Sequence, residues 1–286
     1  MEEIINIGFL GYGIRALDAL MEHPKFQVKY FFTPEANLSQ AVYDAEKKYK
    51  DKVPMEIIHD NRQLAERFAQ IHDVRCFLMN ACSIILKQNA LEHMVVFNIH
   101  PGDLHYNRGH QPHKWTVLLG EKQTKMVLHT VGTAIDAGNI VKSVPIIVQE
   151  NDDAKTVLDH AEDKLPVLLD ALYEHLTKRT PYEETVEYGG YRKIMKYEDY
   201  EIKAEDSRKQ IERKIRARSM DHGAFITWKG RRLYVDGILE WKKGIYDNDC
   251  LEIIFRTEDE LNICLNGNIV KFHLNKVEEI QDNSYL

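Results

Sequence analysis

An amide, an imidazole and a carboxylate stand at Asn98, His100 and Asp136. Asn98 and His100 follow the apolar run Met94-Val95-Val96-Phe97, which reads as a short buried strand. In an open α/β sheet, ligands bind in the crevice beyond the carboxyl ends of the strands. On extended backbone, side chains two residues apart point to one side. Asn98 and His100 would then face one small volume, where they can stabilise a developing oxyanion and move a proton. The loop Ala134-Ile135-Asp136-Ala137-Gly138-Asn139 is small and turn-rich, which lets Asp136 approach a cleft closely. A histidine satisfied by an Asp is also an ordinary structural pair, so the three residue types alone do not name a reaction.

The elements that must position them follow from periodicity. Strands are expected at 4–10, 26–32, 53–58, 75–79 and 94–97, with amphipathic helices at 14–21, 39–50 and 61–71. This alternation predicts an α/β fold, with an open, mostly parallel sheet covered on both faces. Beyond it come a helix at 111–119, strands at 125–131 and 140–149, and a long helix over 153–177. The helix carries the stripe Val157, Leu158, Ala161, Leu165, Leu168, Leu169 and Leu172, with a kink expected at Pro166. The segment 178–191, with Pro181, Gly189 and Gly190 among charges, reads as a linker. After it, a helix at 207–217 precedes short β runs at 223–228, 232–241, 251–256, 261–265 and 269–274. Their Gly and Asn-Gly turns point to a small barrel-like or sandwich domain.

Composition narrows the partners. The 286 residues suit one large or two smaller domains, and 44% hydrophobic content supports a core. A net charge of -7 is unlike the basic footprint of a general nucleic-acid binder. From Tyr182 onward there are 18 Lys/Arg against 21 Asp/Glu, although 207–218 carries a local basic helix face. Cys76, Cys82, Cys250 and Cys264 have no zinc spacing and read as reduced core thiols of a cytoplasmic protein. No secretory signal and no membrane-spanning run are expected. His100, His105, His110 and His113 cluster in sequence without H-E-x-x-H, so a polar cleft wall is preferred to a metal site. Gly11-x-Gly13-x-x-Ala16, with Glu35 downstream, imitates a dinucleotide fingerprint. A nicotinamide-dependent oxidoreductase is therefore one alternative, yet any tight strand-to-helix turn favours glycine. A non-catalytic binding module is another.

Phe97-Asn98-Ile99-His100-Pro101-Gly102, Tyr106-Asn107-Arg108-Gly109, Pro112, Trp115 and Ile135-Asp136-Ala137-Gly138-Asn139-Ile140 occur in that order. This signature resembles the folate-dependent N-formyltransferase family, which includes methionyl-tRNA, glycinamide ribonucleotide and sugar N-formyltransferases. His129 fits the same pattern. Ile215-Arg216-Ala217 and Gly223-Ala224-Phe225 are similar to the C-terminal domain of the methionyl-tRNA enzymes. The family often has Ser where Gly102 stands, Pro where His105 stands and an acid near Gly132.

The resemblance implies a Rossmann-like formyltransferase domain over 1–180 and a β-rich domain over 191–286. It implies 10-formyltetrahydrofolate as co-substrate and Asn98, His100 and Asp136 as catalytic residues. The folate contacts it implies are Asn80, Ser83, Ile84, Leu86, Gly132 and Ile135. Tyr106, Arg108 and Gly11 are the expected acceptor contacts, although Arg108 could equally brace its loop. The methionyl-tRNA enzymes carry a basic, Gly-rich insertion after the second strand, whereas 33–52 here is mixed in charge and helical. The Tyr106–Gly109 wording with Trp115 is closer to the sugar enzymes. The expected acceptor is thus a nucleotide-linked amino sugar, ahead of methionyl-tRNA and then an amino acid or carrier-bound amine. A homodimer is compatible with the sequence.

Overall fold

The computed structural model describes residues 3–187, 189–244 and 251–280; Cys250 lies outside them. In chain order the first elements are β1 (Ile5–Gly11), α1 (Ile14–Glu22), β2 (Phe26–Pro34), α2 (Gln40–Tyr49), β3 (Met55–Ile58), α3 (Asn61–Gln70) and β4 (Phe77–Asn80). They continue as α4 (Gln88–Leu91), β5 (Val96–His100), β6 (Arg108–Gly109), α5 (Pro112–Leu119), β7 (Gln123–Thr130) and β8 (Gly138–Ile147). Next come α6 (Ala154–Glu162), α7 (Leu165–Lys178), β9 (Glu184–Val186), β10 (Tyr191–Arg192), α8 (Tyr197–Tyr200) and α9 (Arg208–Ala217). The last strands are β11 (Ala224–Trp228), β12 (Arg231–Lys243), β13 (Leu251–Arg256), β14 (Glu260–Leu265) and β15 (Asn268–Glu279).

Two compact units form. One comprises 1–109, 123–147 and 159–191; the other comprises 110–122, 148–158 and 192–286. The segments 110–122 and 148–158, inside the expected 1–180 domain, thus pack with the C-terminal part.

The first unit is built on a sheet of order β3-β2-β1-β4-β5-β7-β8-β9. The five strands β1 to β5 run parallel, and the other three pair antiparallel. β1 is buried along nearly its whole length, as a strand covered on both faces must be. Phe9, Leu17, Leu20, Phe31 and Leu168 are among the side chains packed on one face, and Phe32, Phe68 and Phe77 on the other. α2, in the segment after the second strand, buries Val42, Ala45 and Tyr49 in this core.

Two expectations are corrected here. The long helix is two helices, α6 and α7, and Pro166 lies in the first turn of α7. Proline lacks an N–H and is best tolerated where that donor has no intrahelical acceptor, so it starts a helix instead of kinking one. The expected linker also contains β9, which adds an eighth strand beside β8 through Gly138–Val186 and Ile140–Glu184. Val186 is the anchor, buried with Leu104, Val127 and Ile140. Three residues, two of them polar, carry too little alternation to show as a strand in sequence.

The second unit carries an antiparallel sheet of order β11-β12-β15-β14-β13. Register shifts along β12 mark bulges, which bend a strand and increase its twist. α9 lays Ile211 and Ile215 on the cluster of Ile226, Leu233, Ile263 and Phe272. Cys76 and Cys264 are buried and Cys82 is half-buried; all three are free thiols. Burial pushes the Cys76 and Cys82 thiols up to about 12, which leaves them unreactive near neutral pH. Among the described residues no helix is long and apolar enough to cross a membrane.

Candidate active site

Strand β5 does not end at Phe97. It continues extended through His100, held by β4 on one side and β7 on the other. Asn98 and His100 therefore share one face, as two-residue spacing on a strand requires. Both are buried, at 6% and 5% exposure. The antiparallel register sets His129 of β7 directly opposite Asn98. Asp136 comes from the loop between β7 and β8 in a left-handed conformation, φ 46. That conformation is uncommon for a residue with a Cβ, though Asp tolerates it better than most.

The four side chains converge. The Asn98 amide donates to Asp136 Oδ1 at 3.2 Å and meets His129 Nε2 at 3.1 Å. Asp136 Oδ2 accepts from the Gly109 N–H at 2.8 Å and faces His100 Nδ1 at 3.5 Å. The other His100 nitrogen, Nε2, lies 2.8 Å from the Asn107 carbonyl.

Carbonyl oxygens only accept, so these contacts settle where the protons sit. His129 Nδ1 must donate to Thr130 O, 2.9 Å away. Its Nε2 is then the acceptor, and the Asn98 amide nitrogen must face it. A neutral His129 agrees with its titration. Burial lowers its pKa to about 4, outweighing the opposing pull of Asp136 and adding to the repulsion from His100. His100 Nε2 likewise donates to Asn107 O. A proton on Nδ1, facing Asp136, is therefore present only in the imidazolium form. Such a pocket can hold and shift one proton while keeping an amide donor aimed.

The other expected contacts are dispersed. Asn80 donates its amide to Ile99 O at 2.9 Å. The Ser83 N–H donates to Asn37 Oδ1 at 3.1 Å. Ile84 of one loop and Val131 of the other pack against the cluster that buries Leu86. Ile135 is exposed, and a Cβ at Gly132 would meet only Ala137 O at 3.8 Å, so neither is committed to the core. Tyr106 is 64% exposed. Arg108 reaches Glu187 O at 3.4 Å, while its Nε is buried without a partner among the described residues.

Gly11 and Gly13 have a local explanation. The N–H groups of Tyr12 and Gly13 donate to Ala81 O and Asn80 O, at 2.9 and 3.2 Å. A Cβ at Gly11 would fall 2.1 Å from Asn80 O, and one at Gly13 would fall 1.8 Å from Asn80 Oδ1. The amides a dinucleotide fingerprint would turn to a pyrophosphate are spent on the chain itself. No group of three or more His, Cys, Asp or Glu among the described residues could hold a metal ion. His105 turns to Asp103 and Glu184, away from the partners of His100.

Sequence reasoning noted His129 without giving it a role, because only the β5–β7 register sets it opposite Asn98. The Asn107 carbonyl and Gly109 amide are backbone groups, and residue type carries no sign of them.

Residues 37–170 match the formyl transferase family model. A methionyl-tRNA formyltransferase of Wolbachia sp. subsp. Drosophila simulans is 29% identical over 138 residues, 48% of this chain and 45% of the relative. The chain spans about half the length of the curated relatives it matches. WlaRD, a sugar 3N-formyltransferase solved with dTDP and 5-N-formyltetrahydrofolate, superposes with a TM-score of 0.65 at 15% identity. That match covers 95% of this chain and 98% of that one. HypX from Aquifex aeolicus, in complex with tetrahydrofolic acid, gives 0.61 at 14% identity, covering 96% and 46%. At such identities these structures establish the fold. The matched segment, just under half of the chain, is similar to the formyl transferase family.

Proposed function

We propose that this protein transfers a formyl group from 10-formyltetrahydrofolate to a primary amine. The observation that carries the reading is the convergence of Asn98, His100 and His129 on the Asp136 carboxylate. The donor supplies an activated carbonyl. Asn98 donates to the oxyanion that forms when the amine attacks, exchanging its 3.2 Å contact with Asp136 for the new acceptor. A donor so placed contributes roughly 3 kcal/mol. His100 faces the same site, its Nδ1 3.5 Å from the Asp136 carboxylate. The Asp136–His100 pair takes the proton the amine gives up and returns it to the departing nitrogen. The partly buried Ile84 and Val131 offer apolar contacts for a flat ring, whose edge the loop backbones at 80–86 and 132–136 would meet. Arg108, with its unpartnered Nε, is the candidate anion contact, and exposed Tyr106 lies two residues before it.

The preferred acceptor is an amino sugar on a nucleotide. Two features support it: the Tyr106-Asn107-Arg108-Gly109 wording, and a packed α2 where the tRNA enzymes carry a basic insertion. The net charge of -7 points the same way, because nucleic-acid affinity rests largely on Lys and Arg against phosphate. Methionyl-tRNA is the second reading, favoured by the names of the sequence relatives. Incubation with 10-formyltetrahydrofolate and a panel of nucleotide-linked amino sugars, methionyl-tRNA and amino acids tests both. Tetrahydrofolate release is expected with an amino sugar. Release with methionyl-tRNA alone moves the acceptor to the second reading, and no release with any amine defeats the proposal.

A further inference from the structure

The second unit carries an open cavity of ≈ 420 Å³, lined by α9, by 120–122 after α5, by 148–151 and by the middle of β12. Its size falls in the range of small-ligand sites. Five basic residues line it: Lys122, Arg208, Lys209, Arg213 and Arg216. Two are already engaged. Arg208 pairs with Glu212 at 2.8 Å, and Arg216 donates to Asp152 O at 2.6 Å. The side chains of Lys122, Lys209 and Arg213 have neither an ion pair nor a hydrogen bond among the described residues.

Arg213 is the most informative of the three. It is half-buried, where a guanidinium ordinarily takes a carboxylate. Here packing alone positions it. Gly120 closes α5 in the left-handed region at φ +68, and a Cβ there would stand 2.2 Å from Arg213 Cζ. The acidic lining does not neutralise it: Glu212 is taken by Arg208, Asp236 by His273 at 2.6 Å, and Glu121 accepts from Thr116. The fourth acid, Glu150, is exposed. Arg208 and Lys209 also occupy the first turn of α9, where the helix dipole disfavours cations. An anion in the cavity would relieve that repulsion and satisfy Arg213 together.

We propose that this cavity binds a phosphate-bearing small molecule, its mono- or diphosphate group held by Arg213, Lys209 and Lys122. The site shares no residue with the Asn98–Asp136 cluster and does not rest on the formyl-transfer reading. Calorimetric titration of the full chain at low salt, with inorganic pyrophosphate in one arm and a nucleoside diphosphate in the other, tests it. Saturable binding is expected, weakened by added salt. Arg213→Gln should weaken it about tenfold or more and Lys209→Ala about threefold, as loss of charge-assisted hydrogen bonds implies. Arg213→Lys should keep part of the affinity, which separates lost charge from lost fold, and Asn98→Ala should keep all of it. Tighter binding of the nucleoside diphosphate identifies a nucleotide as the source; equal binding identifies free phosphate. Absence of saturable binding in both arms, undiminished affinity in Arg213→Gln, loss of affinity in Asn98→Ala, or binding of an oligonucleotide alone would overturn the proposal.

Discussion

The β5–β7 cluster and the α9 cavity treat their polar side chains in opposite ways: the first buries Asn98, His100 and His129, whereas in the second Arg213 is half-buried and Lys122 and Lys209 are exposed. At the cluster, Asp136 accepts from Asn98 and Gly109, and each nitrogen of His129 has a partner. In the cavity, Arg213, Lys209 and Lys122 are left without carboxylates among the described residues. A group whose partners are all internal is fixed in orientation before substrate arrives, which lowers the cost of stabilising a transition state. A group without internal partners gains them from a ligand. Pairing therefore separates the region proposed to react from the one proposed to bind.

The largest way to break this contrast is His100→Ala. It removes the imidazole that faces Asp136 at 3.5 Å, and turnover should fall about 10²- to 10⁴-fold, measured by tetrahydrofolate release under saturating donor. Next is Asn98→Ala, expected to cost roughly 3 kcal/mol in the barrier, on the order of a hundredfold in kcat. It also orphans His129 Nε2 and one oxygen of Asp136. A loss confined to KM would show that the amide serves binding.

Titration sharpens the comparison further. The folded pKa of His129 is lowered by burial from its ordinary 6.5 to about 4. Between those values the unfolded chain binds a proton that the folded chain does not, so stability is fully present above about pH 6.5. It is lost progressively toward pH 4, by at most about 3 kcal/mol for this group. Denaturant melts at pH 7.5 and 4.5 should show that loss, and His129→Gln, which cannot titrate, should remove its share. The smallest effect is Gly13→Ala. Its Cβ would meet Asn80 Oδ1, which the bond to Ile99 O holds in place. A loss of about 1–3 kcal/mol by overpacking, seen in Tm, is expected. NAD should not protect the wild type against heating.

What sequence could show, and what it could not, divides along the same physical line. Asn98 and His100 were legible because an apolar strand ending in polar residues places them on one face. Asp136 was legible because its loop is small enough to come close. Each rests on local periodicity. The pairing of His129 with Asn98 depends on an antiparallel register that no local pattern encodes. The Asn107 carbonyl and Gly109 amide depend on backbone direction. Pro166 was read as a kink within one helix, whereas it lies in the first turn of α7, a position that follows from where the new helix starts. The cavity was least legible. A basic helix face over 207–218 usually meets solvent, and only the packing of Arg213 on Gly120 distinguishes it.

The central claim is that the Asp136 carboxylate makes the His100 proton available to the reaction. Single-turnover formyl transfer by Asp136→Asn, with the donor bound at saturation and the chain shown folded, measures this directly. The account predicts a rate at least a hundredfold below wild type, of the order general acid–base groups contribute, with donor affinity retained. A rate near wild type would contradict it.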